Sequence, residues 1–213
     1  MRMILLYQTH SPFARKVLVL AHECGLADRI QVEHHETSPT SPNIEVYSRN
    51  PLGKVPVLLR PDRPPLFDSD VICAYLDELH GGRRFIPAAG EPRWNALCLQ
   101  AAAQGLADTA VRIRWETVRR PAEFRYQPLA DGYSRKLIEM YNWLEMNIAE
   151  NEPVHIGHIA IATALSWIRF RKLPDFSDSR PKLTKWFEAF EQRASMLATP
   201  LSGETIDTPT GRT

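Results

Sequence analysis

The residues with the clearest chemical meaning stand in two short runs, Asn50-Pro51-Leu52-Gly53-Lys54-Val55-Pro56-Val57-Leu58-Leu59 and Phe67-Asp68-Ser69-Asp70. The first puts a proline where an apolar, strand-like stretch begins. Proline has no N–H to give a sheet, so it belongs at the first residue of a strand or at an edge. The backbone N–H and C=O of Val55 are then candidates to face a ligand. A cis Val55–Pro56 bond, a minority state even before proline, would serve that geometry. The second run puts an acid and a hydroxyl at the start of the amphipathic segment 71–80, where a helix leaves its first N–H groups unpaired and attracts carboxylates. Together they suggest a pocket that reads the backbone of a small peptide and one of its charged ends. The same residues also satisfy an ordinary turn, strand and N-cap.

The elements that must position these groups follow from pattern. Met3–Tyr7 reads as a buried strand. Ser11 is a good N-cap, Pro12 suits the first helical position and Gly25 the C′ position, with Val17, Leu20, Ala21 and Cys24 at helical spacing between them. Ile30–His34 reads as a second strand, and 39–49 as a polar, irregular stretch with at most one helical turn. Two short strands, 57–59 and 66–67, flank the turn-rich Arg60-Pro61-Asp62-Arg63-Pro64-Pro65, and Val71, Ala74, Tyr75 and Leu79 mark a helix ending near Gly81. The order βαβ then ββα predicts a four-stranded mixed sheet covered by helices. No convincing strand follows. Long helical patterns occupy 94–118, 131–149, 156–171 and 181–194, and the third is apolar nearly all round, the mark of a buried central helix. The expected division is 1–83, a linker at 84–91, a helical domain at 92–198 and a disordered tail at 199–213.

Composition narrows the classes. A 213-residue chain with 44% hydrophobic and 24% charged residues is an ordinary globular protein. The net charge of +1 argues against a general nucleic-acid surface. Three widely spaced cysteines, Cys24, Cys73 and Cys98, contain no Cys-x-x-Cys and suggest a reducing compartment. The apolar run at the start is too short for a signal peptide, and the stretch around 159–168 is too short to span a bilayer, so a cytoplasmic protein is expected, with no membrane partner.

The βαβ-ββα order followed by a helical domain, with Ser11-Pro12-Phe13-Ala14-Arg15-Lys16-Val17, the run from Asn50 to Leu58 and Asp68-Ser69 in that sequence, resembles the cytosolic glutathione S-transferases up to about Ala198. Within that family the chain looks most like the serine-type bacterial branch. The resemblance implies a thioredoxin-like N-terminal domain that binds glutathione, an all-helical C-terminal domain that supplies a second-substrate pocket, and usually a homodimer. The implied glutathione site comprises Phe13, Lys54, Val55, Pro56, Asp68 and Ser69. Val55 would pair its backbone with the cysteinyl part before a cis Pro56. Asp68 and Ser69 would hold the γ-glutamyl end, and Lys54 the glycyl carboxylate. Ser11 would be the catalytic residue, donating to the sulfur. A thiolate is the nucleophile, and a hydroxyl donor with the positive end of the first helix stabilises it. No resident cofactor or metal is implied, glutathione being a co-substrate.

The chain departs from the family pattern at two places. Thr9 and His10 directly precede Ser11, so Thr9 is a second candidate hydroxyl, and His10 another group able to approach the sulfur or simply to be solvated. At the start of the buried helix the family's hydroxyl and Asp are replaced by His155 and His158, either an alternative cap or, with a third ligand not apparent nearby, a metal pair. The second-substrate candidates Arg112, Trp115 and Arg119 lie at helical spacing on one face, and an aromatic flanked by guanidinium groups suits a flat or anionic electrophile. Equally, Trp115 packs in the core and the arginines are solvated. The function read here is transfer of glutathione to a hydrophobic electrophile. The alternatives are a glutathione-fold binding protein without useful turnover, which the altered histidine pair keeps open, and a glutathione-dependent peroxidase or reductase.

Overall fold

The computed structural model describes residues 2–149 and 152–205. The described residues form two compact units, one running to Ile86 and resuming at Ala198, the other Pro87–Leu197.

The first unit has β1 (Met3–Tyr7), α1 (Pro12–Glu23), β2 (Ile30–His34), α2 (Ile44–Arg49), β3 (Val57–Arg60), β4 (Arg63–Leu66) and α3 (Ser69–Leu79). Its sheet order is β2-β1-β3-β4, with β1 parallel to β2 and antiparallel to β3, and β3 antiparallel to β4. This is the four-stranded mixed sheet expected from the element order, with the thioredoxin-like arrangement that the resemblance implies. The second strand of the hairpin differs from expectation: it is Arg63–Leu66 and includes Pro64 and Pro65. Being at the sheet edge, β4 needs only one side of its backbone for pairing, so prolines are tolerated there. The stretch 39–49 holds a short helix, α2, capped by Asn43, whose Oδ1 accepts from the Glu45 and Val46 N–H groups.

α1 packs on α3, and Val17 and Leu20 of α1 and Ile72 and Leu76 of α3 are wholly buried. Burying each such side chain contributes about 1.5–3 kcal/mol, before chain entropy is counted against it. Val55 and Val57 pack with Leu6 and Val46 in a second apolar cluster, which ties the run after Gly53 to the sheet.

Register decides where the functional runs meet. Leu6 pairs with Val57, so the end of β1 lies beside the start of β3. Leu58 pairs with Leu66, so the end of β4 lies there too. Tyr7 pairs with His34, which adds the end of β2. The loop bearing Ser11, the Val55-Pro56 turn, the Asp68-Ser69 helix start and the stretch after β2 therefore share one end of the sheet.

The second unit is helical: α4 (Gly90–Arg114), α5 (Gln127–Asn147), α6 (Ile156–Phe170), α7 (Pro181–Glu191) and α8 (Ala194–Leu197). α4 starts four residues before the expected 94, and α5 four before the expected 131, with Pro128 in its first turn. α4 ends in a π-helical turn, Trp115–Arg119. α6 is buried on nearly every side, packed on α4 and α7. Gly157 permits the close approach to α4: a Cβ there would stand 2.5 Å from Leu99 Cβ and 2.8 Å from the Ala96 carbonyl oxygen. Glu145 of α5 accepts from the Lys182 and Leu183 N–H groups and so caps α7. Among the described residues no helix is long and apolar enough to cross a membrane.

Candidate functional site

Ser11 caps α1. Its Oγ accepts from the Ala14 N–H at 3.2 Å, and its own N–H donates to the Gln8 carbonyl at 3.0 Å. The side chain is buried, and among the described residues the hydroxyl proton meets no acceptor. A hydroxyl can accept and donate at once, so capping leaves Ser11 able to donate to a ligand atom at the positive end of α1. Phe13 sits half-buried at the second position of that helix. The neighbouring hydroxyl is committed elsewhere: Thr9 Oγ1 donates to the Ser202 carbonyl at 2.8 Å. His10 is buried rather than solvated, with Nδ1 3.7 Å from Glu36 Oε1.

The Val55–Pro56 bond is cis. Val55 itself pairs neither N–H nor C=O among the described residues. Asn50 builds the turn leading to it, accepting from the Leu52 N–H and donating through Nδ2 to the Lys54 carbonyl, while the Gly53 N–H donates to the Asn50 carbonyl. Gly53 has φ +61°, and a Cβ there would fall 2.2 Å from the Tyr47 ring, so both conformation and space demand glycine. The Lys54 side chain is exposed.

Asp68 is the N-cap of α3, accepting from the Asp70 N–H at 3.0 Å, and it is exposed. Ser69 is wholly buried, and its Oγ has no hydrogen-bond partner among the described residues. Such buried orphan hydroxyls are rare and call for an explanation. Lys16 of α1, itself buried, is paired with Asp70 and pins the start of α3 to α1.

One network escaped the sequence reading. The Gln8 side chain donates to Glu36 Oε2 and to the Thr37 carbonyl, both at 3.0 Å, and Thr37 Oγ1 donates to the Gly53 carbonyl at 3.0 Å. His34 Nε2 lies 2.8 Å from Glu36 Oε1. The stretch after β2 thus braces both the Ser11 loop and the turn before Val55. Isolated Gln, Glu and Thr residues carry no local signature, so only the sheet register could have pointed to them.

The second-substrate candidates divide between two contacts. The Arg119 guanidinium lies 3.9 Å above the half-buried Trp115 ring, whereas Arg112 is turned to α5, with Nη1 3.5 Å from the Tyr133 hydroxyl. Separating them is the wider π turn, which shifts the angular position of every residue after Arg114.

His155 and His158 make a capping box. His155 Nδ1 accepts from the Gly157 N–H at 3.1 Å, and His158 Nδ1 accepts from the His155 N–H at 3.3 Å. The rings stack with centroids 3.9 Å apart. Burial first, and His155 second, push the His158 pKa down to about 3. A third potential ligand, not apparent in the sequence, is present: Glu152 Oε1 lies 3.2 Å and 3.0 Å from the two Nε2 atoms. With each Nδ1 accepting, the hydrogen-bond network assigns the proton of each neutral ring to Nε2; that of His155 faces Glu152 Oε1, whereas His158 Nε2 has no hydrogen-bond partner among the described residues. Each ring's lone pair is taken by a cap bond and becomes available to a cation only if that bond breaks, so the histidines read as a helix cap.

The profile of the family described as "Glutathione S-transferase, N-terminal domain" matches residues 10–79. A glutathione transferase family member from Pseudomonas fluorescens Pf-5, solved with bound glutathione, is 35% identical with a TM-score of 0.91, over 94% of this chain and 100% of that one. A further structure of a family member from that strain, solved with S-(propanoic acid)-glutathione, is also 35% identical, with a TM-score of 0.86 over 93% and 99% of the two chains. The uncharacterized GST-like protein YibF of Escherichia coli K12 is 28% identical over 193 residues, 89% of this chain and 94% of that protein.

Proposed function

The chain belongs to the glutathione transferase family, and from that premise we propose that it binds glutathione and activates the thiol as a thiolate for attack on a hydrophobic electrophile. The observation that carries this reading is the Ser11 hydroxyl, buried at the start of α1, held as an acceptor by Ala14 and with its own proton unspent among the described residues. A thiol with pKa about 8.5 is mostly protonated at neutral pH. Lowering that pKa by about two units corresponds to roughly 2.7 kcal/mol of stabilisation, within reach of one hydroxyl donor and a helix N-terminus.

In this reading the open N–H and C=O of Val55 pair with the cysteinyl backbone. Asp68 accepts from the γ-glutamyl ammonium, Ser69 donates to its carboxylate, and Lys54 reaches the glycyl carboxylate. Phe13 completes the site. The buried Ser69 hydroxyl must turn outward to take part, which gives its orphan state a purpose. Trp115 with Arg119 is the surface offered to a flat or anionic electrophile. No resident cofactor is required, and the unpaired cysteines suit a reducing, cytoplasmic location. A reductase would use a cysteine at the start of the first helix, where this chain has Ser11. The binding-only alternative leaned on a lost helix cap, and the histidine capping box removes that reason.

A second copy of the chain is proposed to cover the apolar groove of about 800 Å³ between α4 and α5, lined by Leu106, Leu129, Tyr133, Leu137, Met140 and Trp143. The family's usual dimer supports this assignment.

The test of function is calorimetry with glutathione, together with steady-state assays over a panel of electrophiles and peroxides. Saturable binding is expected, with conjugation that falls in Ser11→Ala as the bound thiol's pKa rises by about two units. Absence of glutathione binding by the wild type overturns the reading.

A further inference from the structure

The last described stretch of the chain returns to the first unit and ties down the loop in front of α1. The Ser202 N–H donates to the Thr9 carbonyl at 3.2 Å, and the Thr9 hydroxyl donates back to the Ser202 carbonyl at 2.8 Å. Gly203, with φ +82°, lies against the same loop: a Cβ there would stand 3.3 Å from Thr9 Oγ1 and 3.9 Å from His10 Nδ1. Thr199, where the stretch begins, is buried. Of the tail expected to be disordered, 199–205 are among the described residues and 206–213 lie outside them. From the other flank, Gln8 anchors the loop to Glu36 and Thr37, and the Ser11 N–H closes it onto the Gln8 carbonyl.

Loops open locally more readily than the elements they join. This one is held on both flanks immediately before a serine whose usefulness depends on where its hydroxyl points. We infer that residues 199–205 are a strap that positions Ser11, which makes Thr9 and Gly203 positioning residues although neither has a bond to Ser11. The inference rests on the reading of Ser11 as donor to the glutathione thiol. A donor held in place stabilises a thiolate at all times, whereas one on a loosened loop spends part of its time elsewhere. The groups proposed to hold the peptide ends of glutathione, Val55, Asp68 and Ser69, stand on the turn before β3 and at the start of α3, whereas the strap bonds the loop before α1. Releasing the strap should therefore raise the thiol's pKa and leave affinity nearly unchanged.

The test uses two full-length variants. Thr9→Val removes the hydroxyl that bonds Ser202. Gly203→Val keeps that hydroxyl but forces a β-branched residue into positive φ against it. Thr9→Ser restores the donor as a control, and thermal unfolding confirms that each variant is folded. Hydrogen exchange is followed at the Ser11 and Ala14 amides, the bound thiol is titrated by its thiolate absorbance, and glutathione affinity is measured by calorimetry. In both valine variants exchange at the two amides should quicken about tenfold or more. The thiol pKa should rise by about one unit while Kd stays within about threefold. Wild-type exchange rates in Gly203→Val would overturn the strap. Faster exchange with an unchanged thiol pKa would overturn its positioning role. If the wild type binds no glutathione, the functional reading fails separately, and the exchange rates alone decide whether the strap holds the loop.

Discussion

Acidification from pH 7 to pH 5 should cost this protein as much as about 2 kcal/mol of folding stability through His158. The ring is 2% exposed, stacked on His155 and close to Trp186, with ring centroids 5.8 Å apart. Its Nδ1 accepts from the His155 N–H, so protonation there would set a donor against a donor. Burial, then His155, holds the folded pKa near 3 against an ordinary value of 6.5. As pH falls, the unfolded chain therefore takes up the proton first. The contribution is whole above about pH 6.5 and declines by about 1.36 kcal/mol per unit until the folded ring itself titrates. From 6.5 to 5 that is about 2 kcal/mol, a large share of a typical 5–15 kcal/mol total. The Glu152 carboxylate, 3.0 Å from Nε2, favours the imidazolium, but its side chain is 40% exposed and screened, so the figure is an upper value. The assay is urea unfolding across this pH range for the wild type and His158→Gln. Glutamine keeps an acceptor for the His155 N–H and does not titrate. The stability difference between the two should move by about 2 kcal/mol in favour of the variant on acidification. Parallel pH dependences would show that His158 is not buried in the neutral form, and would refute the reasoning.

Asp68→Asn keeps an acceptor for the Asp70 N–H but loses the charge, so glutathione affinity measured by calorimetry should fall about tenfold or more while stability changes little. Asp77→Ala should lower the unfolding free energy by about 2–3 kcal/mol in denaturant titration, because the buried carboxylate accepts from the Phe85 and Ile86 N–H groups at 2.6 Å and 3.0 Å. Light scattering at micromolar concentration should give the mass of a dimer, and a monomer would remove the second copy from the α4–α5 groove.

The sequence was most legible where one residue type has few possible uses. Pro12 and Gly25 bracketed α1, and Pro56 marked the start of β3 to within a residue. Local propensity was least useful where tertiary pairing overrode it. Pro64 and Pro65 looked like turn residues, yet an edge strand needs no N–H from its open side, and β4 runs through them. Arg112, Trp115 and Arg119 share a face on a period of 3.6, and the π turn Trp115–Arg119 departs from that period. Ser11, Val55 and Asp68-Ser69 stand out in the sequence because each sits at an element end with its own chemical signature. Glu152, Gln8, Glu36 and Thr37 gave no signal at all: each acts through a partner that only the folded chain supplies.

The same economy makes the proposed site hard to dissect by single deletions. Ser11 is both helix cap and proposed thiol donor, and Asp68 is both helix cap and proposed ammonium acceptor. An alanine at either position removes about 1 kcal/mol of capping along with whatever chemistry the side chain performs. A fall in activity would then mix loss of the group with loosening of the helix start that presents it. The two uses separate because they draw on different parts of the side chain. Capping draws on an oxygen lone pair, thiolate stabilisation on the Ser11 proton, and ammonium binding on the Asp68 charge. Substitutions that keep the lone pair and change only the proton or the charge therefore report on function with the cap intact, as Asp68→Asn does. At Ser11, Asn and Asp both cap well, but only Asn brings a donor. A thiol pKa lower in Ser11→Asn than in Ser11→Asp, at equal stability, would therefore attribute the effect to the donor in addition to the helix end. It would do so only in part, because the Asp carboxylate itself repels a thiolate. Ser11→Ala supplies the uncharged reference: a pKa in Ser11→Asn no lower than in Ser11→Ala would leave the helix N-terminus as the source of activation.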